Sequence, residues 1–184
     1  KVLGDINTPA VYNTADEPKV EELPDGSILV SSRYEGGRYY NIFTFYDAAA
    51  AQGSWAKAEF SGASNNGVES KTNSTNGEVM VLPVTRTEDG KDMHILLQSL
   101  PLGPGRANVG IYYKELYDLL DYVDPSSVAG DWDGVKQVST MNSAYSTMAW
   151  QKDNRLGFLY EEETHGASTL AYGGYTIVYE CFNI

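Results

Sequence analysis

The sequence has 184 residues, which is the size of one ordinary domain with a sizeable core. Its 25 acidic and 13 basic residues give a formal net charge of −12, which argues against nucleic acid or an anionic membrane as partner, because either would need a basic face. No long apolar run and no apolar leader is present, so neither a membrane span nor a signal peptide is expected. The 14 Tyr and 18 Gly, with few helical periods, favour an all-β protein with many turns.

The first recognisable element runs from Glu17 to Arg33 and is predicted to be a β-hairpin. Residues 28–32 alternate as a strand directly after the turn Pro24-Asp25-Gly26. Residues 19–23 form the opposite strand, which carries Glu17 back toward Arg33. The sequence therefore predicts that these two charged side chains share one site at the open end of the hairpin.

The pattern of a turn followed by a hydrophobic strand recurs along the chain. The predicted turns are Asp25-Gly26, Asn76-Gly77 and Asp153-Asn154, and a further strand follows each of them. Four-stranded antiparallel propeller blades explain this repeat better than a β-sandwich does. At roughly 40 to 50 residues per blade, the chain would supply about three to four blades. The expected fold is therefore a partial β-propeller, with the remaining blades in the same polypeptide or in a second chain.

An insertion with a short helix is predicted around residues 115–135. Its apolar residues fall at helical spacing before Asp124-Pro125, which is expected to end the helix. These residues are Leu116, Leu119, Leu120 and Val123.

Metal and disulfide chemistry find little support in the sequence. Cys181 is the single cysteine and has apolar neighbours, so it is predicted to be a buried thiol without an internal disulfide. His94 and His165 lie in separate segments with no His or Cys at ligand spacing, so a zinc site is not expected. We expect no metal and no cofactor.

Three residues stand out against the acidic background as candidates for chemistry. Arg33 closes the hairpin, Arg106 lies in the Gly- and Pro-rich loop 100–108, and Tyr145 directly precedes a strand. Taken singly, such residues are more often surface charges or packing groups. Their common position at strand ends, from which propeller side chains converge on the central axis, makes a shared site the better interpretation.

These residues and their surroundings resemble the C-terminal half of the sialidases (neuraminidases), glycoside hydrolases built on a six-bladed β-propeller. The resemblance lies in four segments that occur in the same order, namely residues 16–33, 105–108, 144–147 and 156–161. It implies that Tyr145 is the catalytic nucleophile, that Glu17 is its acid/base partner, and that Arg33 and Arg106 are two members of the arginine triad that binds the substrate carboxylate. It also implies that residues 1–184 form the C-terminal part of a propeller catalytic domain.

The resemblance is incomplete in two respects. The first triad arginine, the catalytic aspartate and the blades that bear them have no counterpart, and the family's Asp-box turn occurs only in altered form between Asp47 and Trp55. The resemblance therefore implies an exo-α-sialidase, acting on sialylated glycans in a secreted, periplasmic or cell-surface setting, of which this chain alone is incomplete and inactive.

The residue types suit that chemistry. Sialic acid carries a carboxylate on its anomeric carbon, which a carboxylate nucleophile would approach with like charge, whereas a neutral Tyr avoids this repulsion. The phenol then needs a base within hydrogen-bond reach and cationic neighbours that favour the phenolate. A non-catalytic propeller lectin or interaction module that uses the arginines to bind an acidic sugar is the alternative.

Overall fold

The computed structural model describes residues 16–71, 75–163 and 174–184. Strands account for 56% of this structure and helices for 7%, which confirms the predicted all-β class. The strands form three antiparallel sheets that follow one another along the chain. No helix in the described ranges has the length and apolarity needed to cross a bilayer.

The first sheet contains the predicted hairpin. Its strands are β1 (Asp16–Glu22), β2 (Ile28–Tyr34), β3 (Gly37–Asp47) and β4 (Gln52–Trp55) in that order, with β5 (Glu59–Ser61) also paired to β3. Asp16 lies opposite Arg33 in the β1–β2 ladder, so the open end of the hairpin lies where the sequence predicted it. Gly26 closes the turn by donating to the carbonyl of Leu23, and its φ of 82° is one that glycine adopts without strain.

The second and third sheets repeat this meander. The second contains β6 (Val79–Thr85), β7 (Asp92–Pro101), β8 (Val109–Leu116) and β9 (Gly134–Gln137), and the third contains β10 (Ser143–Trp150), β11 (Arg155–Glu162) and β12 (Thr176–Asn183). Strand order equals chain order in both sheets, so each is built from local hairpins.

The second copy of the predicted repeat was placed wrongly. Asn76-Gly77 precedes β6 and closes no hairpin, whereas the β6–β7 turn lies at Asp89-Gly90. The corrected turns are evenly spaced, at 64 residues (89 − 25) and 64 residues (153 − 89). Gly77 serves close packing instead, because a Cβ there would lie 1.7 Å from the carbonyl oxygen of Ser99.

The helix prediction was also wrong in position. Strand β8 continues to Leu116, one 3₁₀ turn covers Leu119–Asp121, and the α-helix α1 spans Pro125–Ala129. The Asp124 side chain accepts from the backbone N–H of Ser126 at 2.8 Å, as an N-cap does, and proline suits the first helical position. The Asp-Pro pair therefore starts a helix rather than ending one.

Two apolar clusters fill the spaces between successive sheets. Trp132, which follows α1, stacks on Tyr40 of β3 with ring centroids 6.0 Å apart and joins the first sheet to the second. Phe158 of β11 is fully buried against the second sheet. Cys181 is half-buried rather than buried, because β12 is the last strand of its sheet in the described structure.

Candidate functional site

The four residues singled out in the sequence come together at one end of the sheets. Tyr145, near the start of β10, donates its hydroxyl to Glu17 Oε1 at 2.9 Å. Glu17 Oε2 lies 3.1 Å from Nη1 of Arg33, which is the next-to-last residue of β2. The guanidinium carbon of Arg106 lies 6.0 Å from the centroid of the Tyr145 ring. One phenol, one carboxylate and two guanidinium groups thus form a cluster drawn from all three sheets.

A bulge in β1 aims the Glu17 side chain at the other members. The ladder register shifts between Asp16 and Lys19, and Glu17 has a φ of 41° in the left-handed region. A non-glycine residue there is strained by about 1 kcal/mol or more, and bulges of this kind re-aim a side chain. The contacts of Glu17 with Arg33 and Tyr145 offset that strain.

The loop between β7 and β8 brings Arg106 to the cluster. The Arg106 carbonyl accepts from the backbone N–H of Ser143 at 2.8 Å, so the loop is attached to the start of β10. Gly105, with a φ of 62°, donates to the carbonyl of Lys71 at 2.9 Å. Within the described residues, Nε of Arg106 is buried without a hydrogen-bond partner. The guanidinium lies beside the Tyr145 ring, where it is a cationic group that can bind an anion.

Two further carboxylates at this end were not predicted from the sequence as site residues. Glu161 of β11 accepts from the backbone N–H of Tyr145 at 3.1 Å, and Asp16 lies 4.0 Å from Nε of Arg33. The segment 156–161 carried part of the resemblance, which is the only signal that pointed toward Glu161. Asp16 adjoins Glu17, but no pattern separates it from other surface carboxylates.

The electrostatic balance keeps Tyr145 protonated. Its pKa is raised above the ordinary value of 10.0, mainly because Glu17 accepts its hydrogen bond and repels the phenolate charge. Arg33 and Arg106 lower the same pKa but are outweighed. The cationic neighbours therefore act in the expected direction, although the net effect favours the neutral phenol. The structure shows a neutral phenol whose proton already points at a carboxylate within general-base distance.

The other arginines lie elsewhere. Arg86 pairs with Asp89 in the β6–β7 turn, and Arg155 pairs with Asp153 in the β10–β11 turn, both at the end opposite the cluster. Arg38 is fully buried. Arg33 and Arg106 are thus the two arginines available to a ligand at the end that carries Tyr145.

Grooves lie at both ends of the described structure. One of about 200 Å³ runs beside Tyr145 and is lined in part by Glu161, Asn76 and Lys19. A larger one of about 810 Å³ lies near the hairpin turns, and His94 is among its lining residues. Within the described residues, no group of three or more His, Cys, Asp or Glu side chains is arranged to hold a metal ion. His165 lies outside the described ranges.

Comparison with known proteins yields similarity in structure only. No family model matches the sequence, and neither does any curated protein. The intramolecular trans-sialidase of Ruminococcus gnavus, solved with oseltamivir carboxylate, matches with a TM-score of 0.62 and 23% identity over 91% of this chain and 32% of that chain.

The NanB sialidase of Streptococcus pneumoniae is similar to a comparable degree. A single-site mutant of NanB matches with a TM-score of 0.62 and 20% identity over 93% of this chain and 24% of that chain. NanB with Optactamide gives a TM-score of 0.60 and 21% identity over the same shares. The chain thus spans a quarter to a third of these structures. This similarity shows the fold, and it confirms the prediction of a partial sialidase-type propeller.

Proposed function

We propose that this chain is the C-terminal part of the catalytic domain of an exo-α-sialidase, which releases terminal sialic acid from glycoconjugates with retention of configuration. The observation that carries the proposal is the contact of Tyr145 with Glu17, which is itself paired with Arg33. The sialidase-type fold supports it independently. The substrates would be sialylated glycans, which are displayed outside cells, so a secreted, periplasmic or cell-surface location is part of the proposal.

The two guanidinium groups would bind the substrate carboxylate. Arg33 and Arg106 offer planar donors of fixed charge, and a sialic acid carboxylate accepts from such forks in bidentate fashion. The guanidinium of Arg106 lies beside the Tyr145 ring, so a carboxylate bound to it would lie next to the phenol. Binding there sets the anomeric carbon beside Tyr145, since the carboxylate is attached to that carbon.

In the first chemical step, Tyr145 is the nucleophile and Glu17 the base. The phenol oxygen forms a bond to the anomeric carbon while its proton passes to Glu17 Oε1, and the bond from that carbon to the leaving oxygen breaks. The leaving oxygen takes a proton from an acid that is not assigned among the described residues. The resulting glycosyl-tyrosine intermediate is an aryl glycoside. Water then attacks its anomeric carbon and gives up a proton to the conjugate base of that acid, while the bond to the Tyr145 oxygen breaks and Tyr145 regains its proton from Glu17. This second inversion restores the original configuration.

The remaining catalytic groups must come from other blades. Residues 1–184 supply two candidate triad arginines and a base, while a third arginine and an acid would belong to the rest of the polypeptide or to a second chain. We expect the isolated chain to hydrolyse a fluorogenic sialoside at background rate, because acid catalysis alone is typically worth 10² to 10⁴-fold.

The test compares initial rates on that substrate. The complete polypeptide is expected to be active, and Tyr145→Phe in it to lower kcat by at least roughly 10²-fold, because the nucleophile is lost. Tyr46→Phe is the matched control, since Tyr46 is 74% exposed and lies at the end of β3, beside the β3–β4 turn. Robust turnover by residues 1–184 alone would contradict the account of the missing groups. An unimpaired Tyr145→Phe enzyme would remove Tyr145 from the mechanism.

The second candidate is a lectin that binds acidic sugars without cleaving them. It is favoured by one observation, the pair of arginines beside a Tyr whose pKa is raised rather than lowered. Binding of free sialic acid to the complete polypeptide, lost in Arg106→Met but without any turnover, would select the lectin.

A further inference from the structure

Arg38 of β3 is a charged side chain with no exposure to solvent. It is among the largest fully buried side chains of the structure, and in the described ranges no carboxylate lies within 4.0 Å of it. Burial lowers the pKa of Arg38 to about 10, which still leaves it charged at neutral pH. A buried charge without a counter-ion costs stability, and an apolar side chain of similar volume is often better there. The contacts that Arg38 makes must therefore account for it.

Neutral oxygen atoms surround the guanidinium. Nε donates to Ser31 Oγ at 2.6 Å, and Nη1 donates to the carbonyl oxygen of Thr75 at 3.0 Å. Ser31 donates in turn to Gln98 Oε1 at 2.6 Å, and Tyr40 donates to the same oxygen at 3.1 Å. These five residues form a buried polar network between the first and second sheets.

One branch of the network leads to Arg33. Arg38 lies directly opposite Arg33 in the β2–β3 ladder, so both side chains project from the same face of the sheet. Ser31, which accepts from Arg38, lies two positions before Arg33 on β2 and shares that face. Like charges opposite each other in a ladder repel. The arrangement therefore holds the strand of Arg33 at an electrostatic cost.

The other branch leads to Tyr145. The carbonyl of Thr75 accepts from Arg38, and the hydroxyl of Thr75 donates to the carbonyl of Ala144 at 3.0 Å. Ala144 immediately precedes Tyr145 on β10. The single guanidinium therefore connects the strand that carries Arg33 with the strand that carries Tyr145, although these belong to different sheets.

We propose that Arg38 is a positioning residue that holds Arg33 and Tyr145 at the spacing the reaction requires. The inference rests on the proposed sialidase function, and Arg38 itself touches no substrate. The planar guanidinium suits this role because its donors point in fixed, divergent directions, which a lysine ammonium on a flexible stem does not reproduce. A misplacement of about 1 Å caused far from the reacting atoms can lower a rate by about 10²-fold.

The test substitutes Arg38 in the complete polypeptide and uses two measurements. Arg38→Met is expected to lower kcat by roughly 10 to 10²-fold with a smaller change in KM, and Arg38→Lys to restore little of it, because the charge returns without the fork. The second measurement is the NMR titration of Tyr145 labelled at Cζ, with its signal assigned by its absence in Tyr145→Phe. In Arg38→Met the pKa of Tyr145 should move toward its ordinary value, because the contact with Glu17 loosens.

Leu96→Ala is the matched control, since Leu96 is purely apolar and is fully buried in the apolar cluster that contains Tyr40. It should lower the melting temperature but leave kcat and the Tyr145 titration unchanged. If Arg38→Met behaves in the same way, Arg38 is merely structural and the proposal is wrong. Full rescue by Arg38→Lys would also overturn it.

Two further outcomes remain decisive. If the wild-type protein shows no sialidase activity, the proposed function fails, but the Tyr145 titration still tests whether Arg38 positions that residue. If neither Arg38 variant folds, Thr75→Val removes only the hydroxyl that reaches Ala144, and it should shift the Tyr145 titration while leaving Arg38 in place. An unchanged titration in Thr75→Val would then overturn the link.

Discussion

Replacing Glu17 by glutamine separates a catalytic contact from a structural one. The amide keeps the shape of the side chain, but it removes the charge that accepts the Tyr145 proton at 2.9 Å and pairs with Arg33 at 3.1 Å. The proposed mechanism then lacks its base, while the three sheets keep their packing. Turnover and stability should therefore respond very differently to this one change.

The structure sets the size of both effects. The side chains of Glu17 and Arg33 are 29% and 23% exposed, and ion pairs that water reaches are worth about 0.2 to 1 kcal/mol. We expect Glu17→Gln to lower the free energy of unfolding by about 1 kcal/mol or less. Loss of general-base help should lower kcat by roughly 10² to 10⁴-fold, which corresponds to about 3 to 5 kcal/mol of barrier.

The assay pairs urea unfolding with initial rates on a fluorogenic sialoside, both in the complete polypeptide. Glu35→Gln is the control, because Glu35 is an exposed carboxylate in the β2–β3 turn. A kcat for Glu17→Gln equal to that of the control would refute the role of Glu17 as base. A loss of several kcal/mol of stability would instead show that the contact mainly supports the fold.

Two further predictions concern the titration of Tyr145 and the packing around Phe158. The pKa of Tyr145 is raised in the folded protein, so its contact with Glu17 should stabilise the fold fully below pH 10.0 and less as the pH rises through the folded pKa. The unfolding free energies of wild type and Tyr145→Phe should therefore converge at high pH, and a difference that stays constant with pH would contradict this. Phe158→Ala should lower the free energy of unfolding by about 3 to 5 kcal/mol, because its fully buried ring stacks on Tyr160, whereas Leu159→Ala should lower it by about 1 kcal/mol or less, because Leu159 is 39% exposed. Equal losses in chemical denaturation would show that the apolar cluster around Phe158 is not a packed core.

Local sequence patterns predicted much of the fold. Alternating residues on both sides of Asp25-Gly26 predicted the first hairpin, because side-chain period and turn chemistry are properties of a few adjacent residues. The same local reading failed at Asn76-Gly77, since Gly77 is required by the approach of Ser99 from β7 rather than by a turn. The helix prediction failed at Asp124-Pro125, because an Asp-Pro pair can either end a helix or start one, and here Asp124 is the N-cap of α1.

The identities of the candidate site residues could also be taken from the sequence, through their order and their positions at strand ends. Their contacts could not, because Glu17 and Tyr145 are 128 residues apart and meet only when the first and third sheets are in place. The same holds for Arg38, which reads as an ordinary charged residue after a turn and is buried only because β2, β7 and the segment before β6 close around it. The type of each side chain is a local property of the sequence. Burial and the distances between remote groups depend instead on how whole sheets pack. That packing decided which charged groups meet, which groups have shifted pKa values and which groups face a ligand.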